Sequence, residues 1–489
     1  MRLCSLFGCV AMLGVMATTQ GIFAQQPYVV SDDAALYQRL DAAEARNQEV
    51  AARLQDLESM LSQRQSIAQI QPASMNIDTL ARRVESLESL AISAAEGDEW
   101  EDTHKQKLSQ KWGGRIQMDY VGFANEAPAG DYENYFEVRR MRFFVKGAGY
   151  GVFDYKLQVD LEEDEGGDGI KMKDAYAGIH DVPVLGYVRM GHFKAPFSLE
   201  ELTSSKHITF MERSMPNTFA PGREVGIAAY NHTASERVTW AGGLFFHDIS
   251  ESSREKELDA QGTVAAGRAT WTPTYDVSSG GRYMSHIGGN ALYTWWNEDE
   301  LTGDGVIFGS RPEIHESVSG NFVTTGNLTT AIGATEHYSL GLEGAWVRGP
   351  FSVQGEYIYT SVPGVTAPGV QLHGMYVYAS YFITGESRGE TYKRTSGVFD
   401  RIKPLENFWF VKTPDGPCVG TGAIEAKIRW SYLDFTDAPT NEELNTLTVG
   451  VNWYLNPYMR FMFDWIHSEG VNTDRTSMDT LGMRAQIDF

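Results

Sequence analysis

From residue 112 onward, apolar and polar side chains alternate with a period of two. At the very end Leu481, Met483, Ala485, Ile487 and Phe489 alternate with Thr480, Gly482, Arg484, Gln486 and Asp488. Upstream, Met459, Phe461, Phe463 and Trp465 face away from Arg460 and Asp464, and Ala426, Ile428, Trp430 and Tyr432 away from Glu425, Lys427, Arg429 and Ser431. Leu447 to Leu455 and Tyr155 to Leu161 repeat the rhythm. Period two is the strand period. A soluble sandwich hides its apolar face and wets its polar one, and a dry core does not accept charges at every second position. Lipid on one side and a water-filled lumen on the other accept both faces. The pattern therefore predicts an all-β transmembrane barrel of antiparallel strands. At ~10 residues per membrane strand plus connections, residues 112–489 hold about 14 to 18 of them.

The period changes before residue 94. Leu36, Leu40, Ala43, Asn47, Val50, Leu54, Leu57 and Leu61 step by four and three, and a second seam runs through Ile77, Leu80, Val84, Leu87 and Ala91 after Pro72. These heptads predict an N-terminal α-helical coiled coil over 25–93, with Asn47 fixing register at a seam position. Polar residues fill the other faces, which favours self-association over packing on a globular partner. The acidic, aperiodic stretch around Glu96 to Asp102 reads as a linker over 94–111. Arg2, the apolar run Leu3 to Val15 and Ile22-Phe23-Ala24 read as a signal peptide over 1–24, which places the coil in the periplasm and the barrel in the outer membrane.

Composition adds little to that picture but removes alternatives. The 489 residues include 49 Gly, 23 Tyr and 24 Phe, which suits turns and aromatic girdles. Of three Cys only Cys418 lies beyond residue 24, so no intrachain disulfide framework exists. Nine basic and 15 acidic residues precede residue 109, so the chain's net charge of −23 leaves −17 for the remainder. Nothing resembles a nucleotide loop or a nucleic-acid surface. His192 near Lys194 and His207 near Lys206 lack further ligands at metal-site spacing, and no cofactor is implied. Glu162-Glu163-Asp164-Glu165 with Asp168 lacks an EF-hand pattern and reads as a solvated loop rather than a Ca²⁺ site.

Several stretches together resemble the phosphate-selective porins, the porin O and porin P family. They are Gly113 to Tyr120 (GGRIQMDY), Arg139-Arg140, the long segment Gly191 to Arg213, Gly341 to Trp346 (GLEGAW), Tyr381 to Glu386 (YFITGE) and Thr448 to Tyr454 (TVGVNWY). The resemblance implies about 16 strands, a homotrimer, inward-folded loops, and a channel for phosphate or other anions lined by a ladder of Arg and Lys. By residue match Arg115, Asp174, Lys206 and Arg213 fall at or near the constriction, and Arg139 and Arg140 toward the outer mouth. On strand alternation Lys427, Arg429 and Arg460 join the pore-lining candidates. Glu201 is a departure, because the selective members carry lysine there. An acidic residue at a poorly screened constriction repels anions, so weak phosphate selectivity is expected, with a gain in Glu201→Lys.

The function expected is passive diffusion of small ions and solutes through an outer-membrane porin, not an enzyme. Lipid surrounds the barrel, and the terminal Phe489 resembles the signal read by barrel-assembly machinery. A different class of reading is a tether or adhesin linking outer membrane and cell envelope through the coil. A trimeric adhesin contributes only a few strands per chain, however, and this chain has enough for a barrel of its own.

Overall fold

The computed structural model describes residues 108–124, 133–161, 170–246, 262–296, 305–315, 321–413, 416–473 and 477–489. The signal peptide, the coiled coil, most of the linker and the acidic stretch from Glu162 to Asp168 lie outside the described residues.

Sixteen strands close into one antiparallel barrel in which each pairs with its neighbours in sequence. They are β1 (Ser109–Phe123), β2 (Tyr135–Gly149), β3 (Phe153–Asp160), β4 (Lys171–Val182), β5 (Gly186–Lys194), β6 (Arg223–His232), β7 (Val238–Phe246) and β8 (Thr263–Tyr275) in the first half. The second half holds β9 (Tyr283–Trp295), β10 (Glu336–Arg348), β11 (Phe351–Val362), β12 (Val370–Phe382), β13 (Ala423–Phe435), β14 (Glu442–Asn456), β15 (Met459–Val471) and β16 (Ser477–Asp488). β1 begins at Ser109, slightly ahead of the boundary at 112 that the alternation suggests.

Closure uses the last residue. β16 pairs with β1 from Arg115↔Asp488 to Phe123↔Thr480. Beyond it, the Phe489 oxygen accepts from Gly114 N at 2.8 Å and Phe489 N donates back to Gly114 O at 3.2 Å. A Cβ on Gly114 would sit 2.4 Å from the Phe489 ring, so only glycine lets the terminal aromatic lie against β1. Closure removes the free edges that hydrocarbon cannot satisfy.

The sidedness is that of a membrane barrel. On β16 Leu481, Met483 and Ile487 are exposed while Thr480, Arg484, Gln486 and Asp488 are buried. No helix among the described residues is long and apolar enough to cross a membrane. The lumen departs from a simple water-filled tube. A barrel this wide is not filled by its own side chains, and loops fold in to fill one side. Phe219, Phe308, Phe322 and Leu328 from those loops pack with Phe435, Leu444 and Met478 of the wall in a dry cluster. The loops come from both ends. The 195–222 and 296–335 connections enter from the end opposite the termini, and the 383–422 connection enters from the end that holds Ser109 and Phe489.

Because all sixteen strands of the closed ladder lie between Ser109 and Phe489, a protein lacking residues 1–108 is expected to insert and conduct. Heat-modifiable gel mobility and planar-bilayer conductance check this. A truncation that shows the folded-band shift yet passes no current would contradict it.

Candidate functional site

The 195–222 loop crosses the lumen, and its course is set by the wall. It leaves β5 through Ala195-Pro196, turns at Ser198 (φ 62°), and forms one short helical turn, α1 (Leu199–Leu202). Ser198 Oγ accepts from Glu201 N at 3.1 Å, and the Glu356 carboxylate of β11 accepts from the amides of Leu199 at 3.0 Å and Glu200 at 2.7 Å. These caps satisfy amides that a helix start leaves without internal partners. The next segment is held by its carbonyls. Arg460 donates to Ile208 O at 2.9 Å, Lys427 to Thr209 O at 2.9 Å, Arg429 to Glu212 O at 3.1 Å, and Arg484 to Met211 O. Side-chain pairs finish the clamp: Arg429–Glu200 at 3.3 Å and Arg484–Glu212 at 2.5 Å reach the loop, while Lys427–Asp464 and Arg484–Asp119, each at 2.6 Å, fix these cations on the wall and Arg429–Glu313 at 2.5 Å ties in the 296–335 connection.

This arrangement corrects part of the alternation reading. Lys427, Arg429 and Arg460 do point inward, but they lie buried beneath the loop and hold it, where open water was expected. Inward-facing and solvent-facing are different statements once a loop covers the wall.

Glu201 is likewise off the open path. Its carboxylate sits 2.8 Å from Lys194 Nζ and 3.2 Å from Arg213 Nε, with little exposure. Burial opposes its charge, yet Arg213 and then Lys194 hold its pKa down at about 2. It is an internal counter-ion, so the anion barrier expected of it has no line to the cavity. Glu201→Lys would bring a third cation to Lys194 and Arg213 and disturb the loop.

The open path runs on the other side of the loop. A cavity of about 810 Å³ lies between the loop, the 383–422 connection and the wall formed by β1 to β8. Among the described residues, eleven Lys and Arg line it against two carboxylates, Asp174 and Asp400. Both acids are matched already. Asp174 takes Arg223 Nε at 2.7 Å and also Lys156, while Asp400 lies 2.8 Å from His207 Nδ1 and also takes Lys393. The domain's net −17 is therefore not shared by this lane, whose described lining is net positive.

Within it, Arg115 has no carboxylate partner among the described residues. Its Nη1 donates to Ser205 Oγ at 2.8 Å and its buried Nε donates to nothing. Lys111, Lys146 and Lys206 also form no ion pair with a described residue. A second cavity of about 390 Å³, further along β2, holds Arg139, Arg140, Arg213 and Arg311 with Glu212 and Glu313. Two consecutive arginines share it because β2 carries a bulge. Register passes from Gln117↔Arg140 to Met118↔Val138, leaving Arg139 as the extra residue, and a bulge of this kind re-aims a side chain. Both arginines meet Glu212, each at 2.9 Å.

Apart from Glu201, the residues named from sequence thus fall into three places. Arg115, Asp174 and Lys206 line the larger cavity, Arg139, Arg140 and Arg213 the smaller one, and Lys427, Arg429 and Arg460 the anchor beneath the loop. Sequence reasoning missed Lys194, Arg223 and Lys146 as lining residues. Lys194 and Arg223 are inward at the ends of β5 and β6, where alternation is too short to assign a face. His192 is buried with Nδ1 2.5 Å from Lys173 O, and no group of three metal-type ligands occurs among the described residues.

A closed sixteen-stranded barrel with an apolar outer belt and a lumen narrowed by folded-in loops defines an outer-membrane porin. Residues 111–489 match the family described as phosphate-selective porin O and P, and the chain belongs to that family. Porin O of Pseudomonas aeruginosa is 27% identical over 409 residues, spanning 75% of this chain and 84% of that protein. An uncharacterized protein of Caulobacter vibrioides is 28% identical over 397 residues, 77% of this chain and 73% of its own. Among solved structures, a loop-deletion variant of OmpT of Vibrio cholerae aligns with TM-score 0.49 and 11% identity, over 78% of this chain and 99% of its own. The anion-selective porin from Comamonas acidovorans aligns with TM-score 0.47 and 11% identity, over 78% and 100%.

Proposed function

We propose that this porin passes small inorganic anions, with Arg115 and Lys206 on the ion path and Arg139, Arg140 and Arg213 at its entrance. The observation that carries the reading is Arg115: a buried guanidinium in a channel wall with a donor left over and no ion pair to a carboxylate among the described residues, its cross-strand neighbour Asp488 being taken by Arg401. A buried cation left without a counter-ion is costly, and a passing anion supplies the missing partner. Exchange stays fast because the site offers few bonds to any one ion, and conduction needs binding that is favourable but shallow. Asp174 fits as a positioning residue that holds Lys156 and Arg223 in place.

Reversal potentials in a KCl gradient test this directly, and chloride is expected to be the more permeant ion. A cation-selective wild type would overturn the reading. Lys206 adds a pH dependence. It stands in the loop, and burial lowers its pKa to about 8. A lysine is charged below its pKa, so anion preference is expected to be full at pH 6 and to fall as pH rises through about 8. A flat profile between pH 6 and 9 would remove Lys206 from the path.

The assembly we propose is a homotrimer whose coiled coil, over 25–93, lies in the periplasm. The family, together with the heptads and Asn47, supports it. Sedimentation and circular dichroism on the isolated segment are expected to show a helical oligomer. A monomeric, unstructured peptide at high concentration would count against self-association. A tether to the cell envelope is compatible with that coil and with the pore.

A further inference from the structure

Arg189 on β5 differs from the other cations of the larger cavity. Its guanidinium carbon lies 4.1 Å from the ring centroid of Tyr176, 5.1 Å from that of Tyr230, and 5.2 Å from those of Tyr187 and Phe193. Its Nε donates to Tyr187 Oη at 3.3 Å, and among the described residues no carboxylate pairs with it. A guanidinium offers five N–H donors in one plane, so several remain. Arg189, Tyr176, Tyr187 and Tyr230 all line the cavity, close to the short turn 183–185 at the end that carries the termini.

Packing holds the rings from behind: Tyr176 and Tyr230 rest on the apolar cluster, and Tyr187 stacks on His180 at 4.6 Å with its hydroxyl donating to Asp154 Oδ1 at 2.8 Å. All three nevertheless line the aqueous lane around one guanidinium. A small hydrated ion gains nothing from them, and an aromatic face repels an anion. A flat organic anion gains twice: its carboxylate meets the remaining N–H groups, and its ring stacks on the tyrosines or on the guanidinium plane.

We propose that the patch of Arg189, Tyr176, Tyr187 and Tyr230 is a binding site for organic anions bearing a planar ring, of the aromatic carboxylate class. The proposal rests on the anion-channel reading, since such a solute must share the lane. It extends that lane from inorganic ions to small aromatic acids, which bind at the patch before or after passing Arg115.

The test uses the full-length protein in planar bilayers, with block of chloride current by benzoate compared with block by cyclohexanecarboxylate. The two share charge and near-equal size, and only benzoate is flat and aromatic. Benzoate is expected to block at about tenfold lower concentration, the scale of one good aromatic contact. The double variant Tyr176→Leu with Tyr230→Leu should bring the two blockers to within about twofold of each other. Arg189→Lys keeps the charge but loses the planar fork, and should cut the preference as well. Heat-modifiable mobility establishes that each variant is folded. If the double variant does not fold, the wild-type comparison and Arg189→Lys decide. Equal block in the wild type, or a benzoate preference that survives the substitutions, overturns the proposal. Cation selectivity in the KCl gradient overturns the anion-channel reading and this site with it, whereas anion selectivity with equal block overturns this site alone.

Discussion

Glu212→Gln is expected to loosen the constriction while leaving the barrel closed. Glu212 is the common counter-ion of three arginines: Arg139 and Arg140 at 2.9 Å each and Arg484 at 2.5 Å. Burial opposes its ionisation, and the three guanidinium groups more than offset that, holding its pKa well below the usual carboxylate range. The amide keeps the shape and removes the charge, so three cations then face one another with only the Arg484–Asp119 pair intact. Breaking a largely buried ion network by removing one partner costs about 3 kcal/mol or more. That cost falls on the loop, because the strand ladder does not pass through Glu212. The expected results are a heat-modifiable band that persists, a lower unfolding temperature, noisier and larger single-channel currents, and a further shift toward anions from the uncompensated arginines. Quiet currents of wild-type size would show that Glu212 does not hold the loop.

How far the sequence reveals this molecule depends on which physical signal each part leaves. The alternation on β13 to β16 is long and regular, and it marks both the strands and their inward face. The terminal Phe489 is legible too, and its contact with Gly114 gives it a structural part in closure. β2 and β4 to β6 are harder to read. A bulge at Arg139 breaks the period at the point where two adjacent arginines turn inward, and a period-two rule assigns one of them to lipid. The anchoring role of Lys427, Arg429, Arg460 and Arg484 leaves no trace in a pattern at all. Their partners include backbone carbonyls of residues 208–212, which look the same for every residue type. Glu201 shows the limit of matching one position at a time. Its counter-ions, Lys194 and Arg213, lie seven residues before it and twelve after, and only the folded loop makes the three one group.

Arg115→Glu is expected to move the reversal potential further than any other single change in the lane. The substitution shifts local charge by two units at a site with Lys206, Lys156 and Arg223 lining the same cavity. An interaction of unit charges about 5 Å apart is worth roughly 3 kcal/mol at an effective dielectric near 20, before screening by salt. Much of that is lost in the wetter parts of the lane, and neighbouring lysines neutralise some of the new carboxylate. Roughly a tenfold fall in the chloride-to-potassium permeability ratio is therefore a conservative expectation, with Arg115→Gln falling between. The informative control is Arg484→Gln, which also removes one inward-facing arginine. Arg484 lies under the loop against Asp119, with its side chain fully covered. Its loss should lower thermal stability and leave the permeability ratio within about threefold of wild type, since an anchor contributes to the lane only through the loop it holds. If Arg115→Glu leaves the reversal potential where it was, or if Arg484→Gln moves it just as far, the distinction between lane and anchor fails and the ion path lies elsewhere in the lumen.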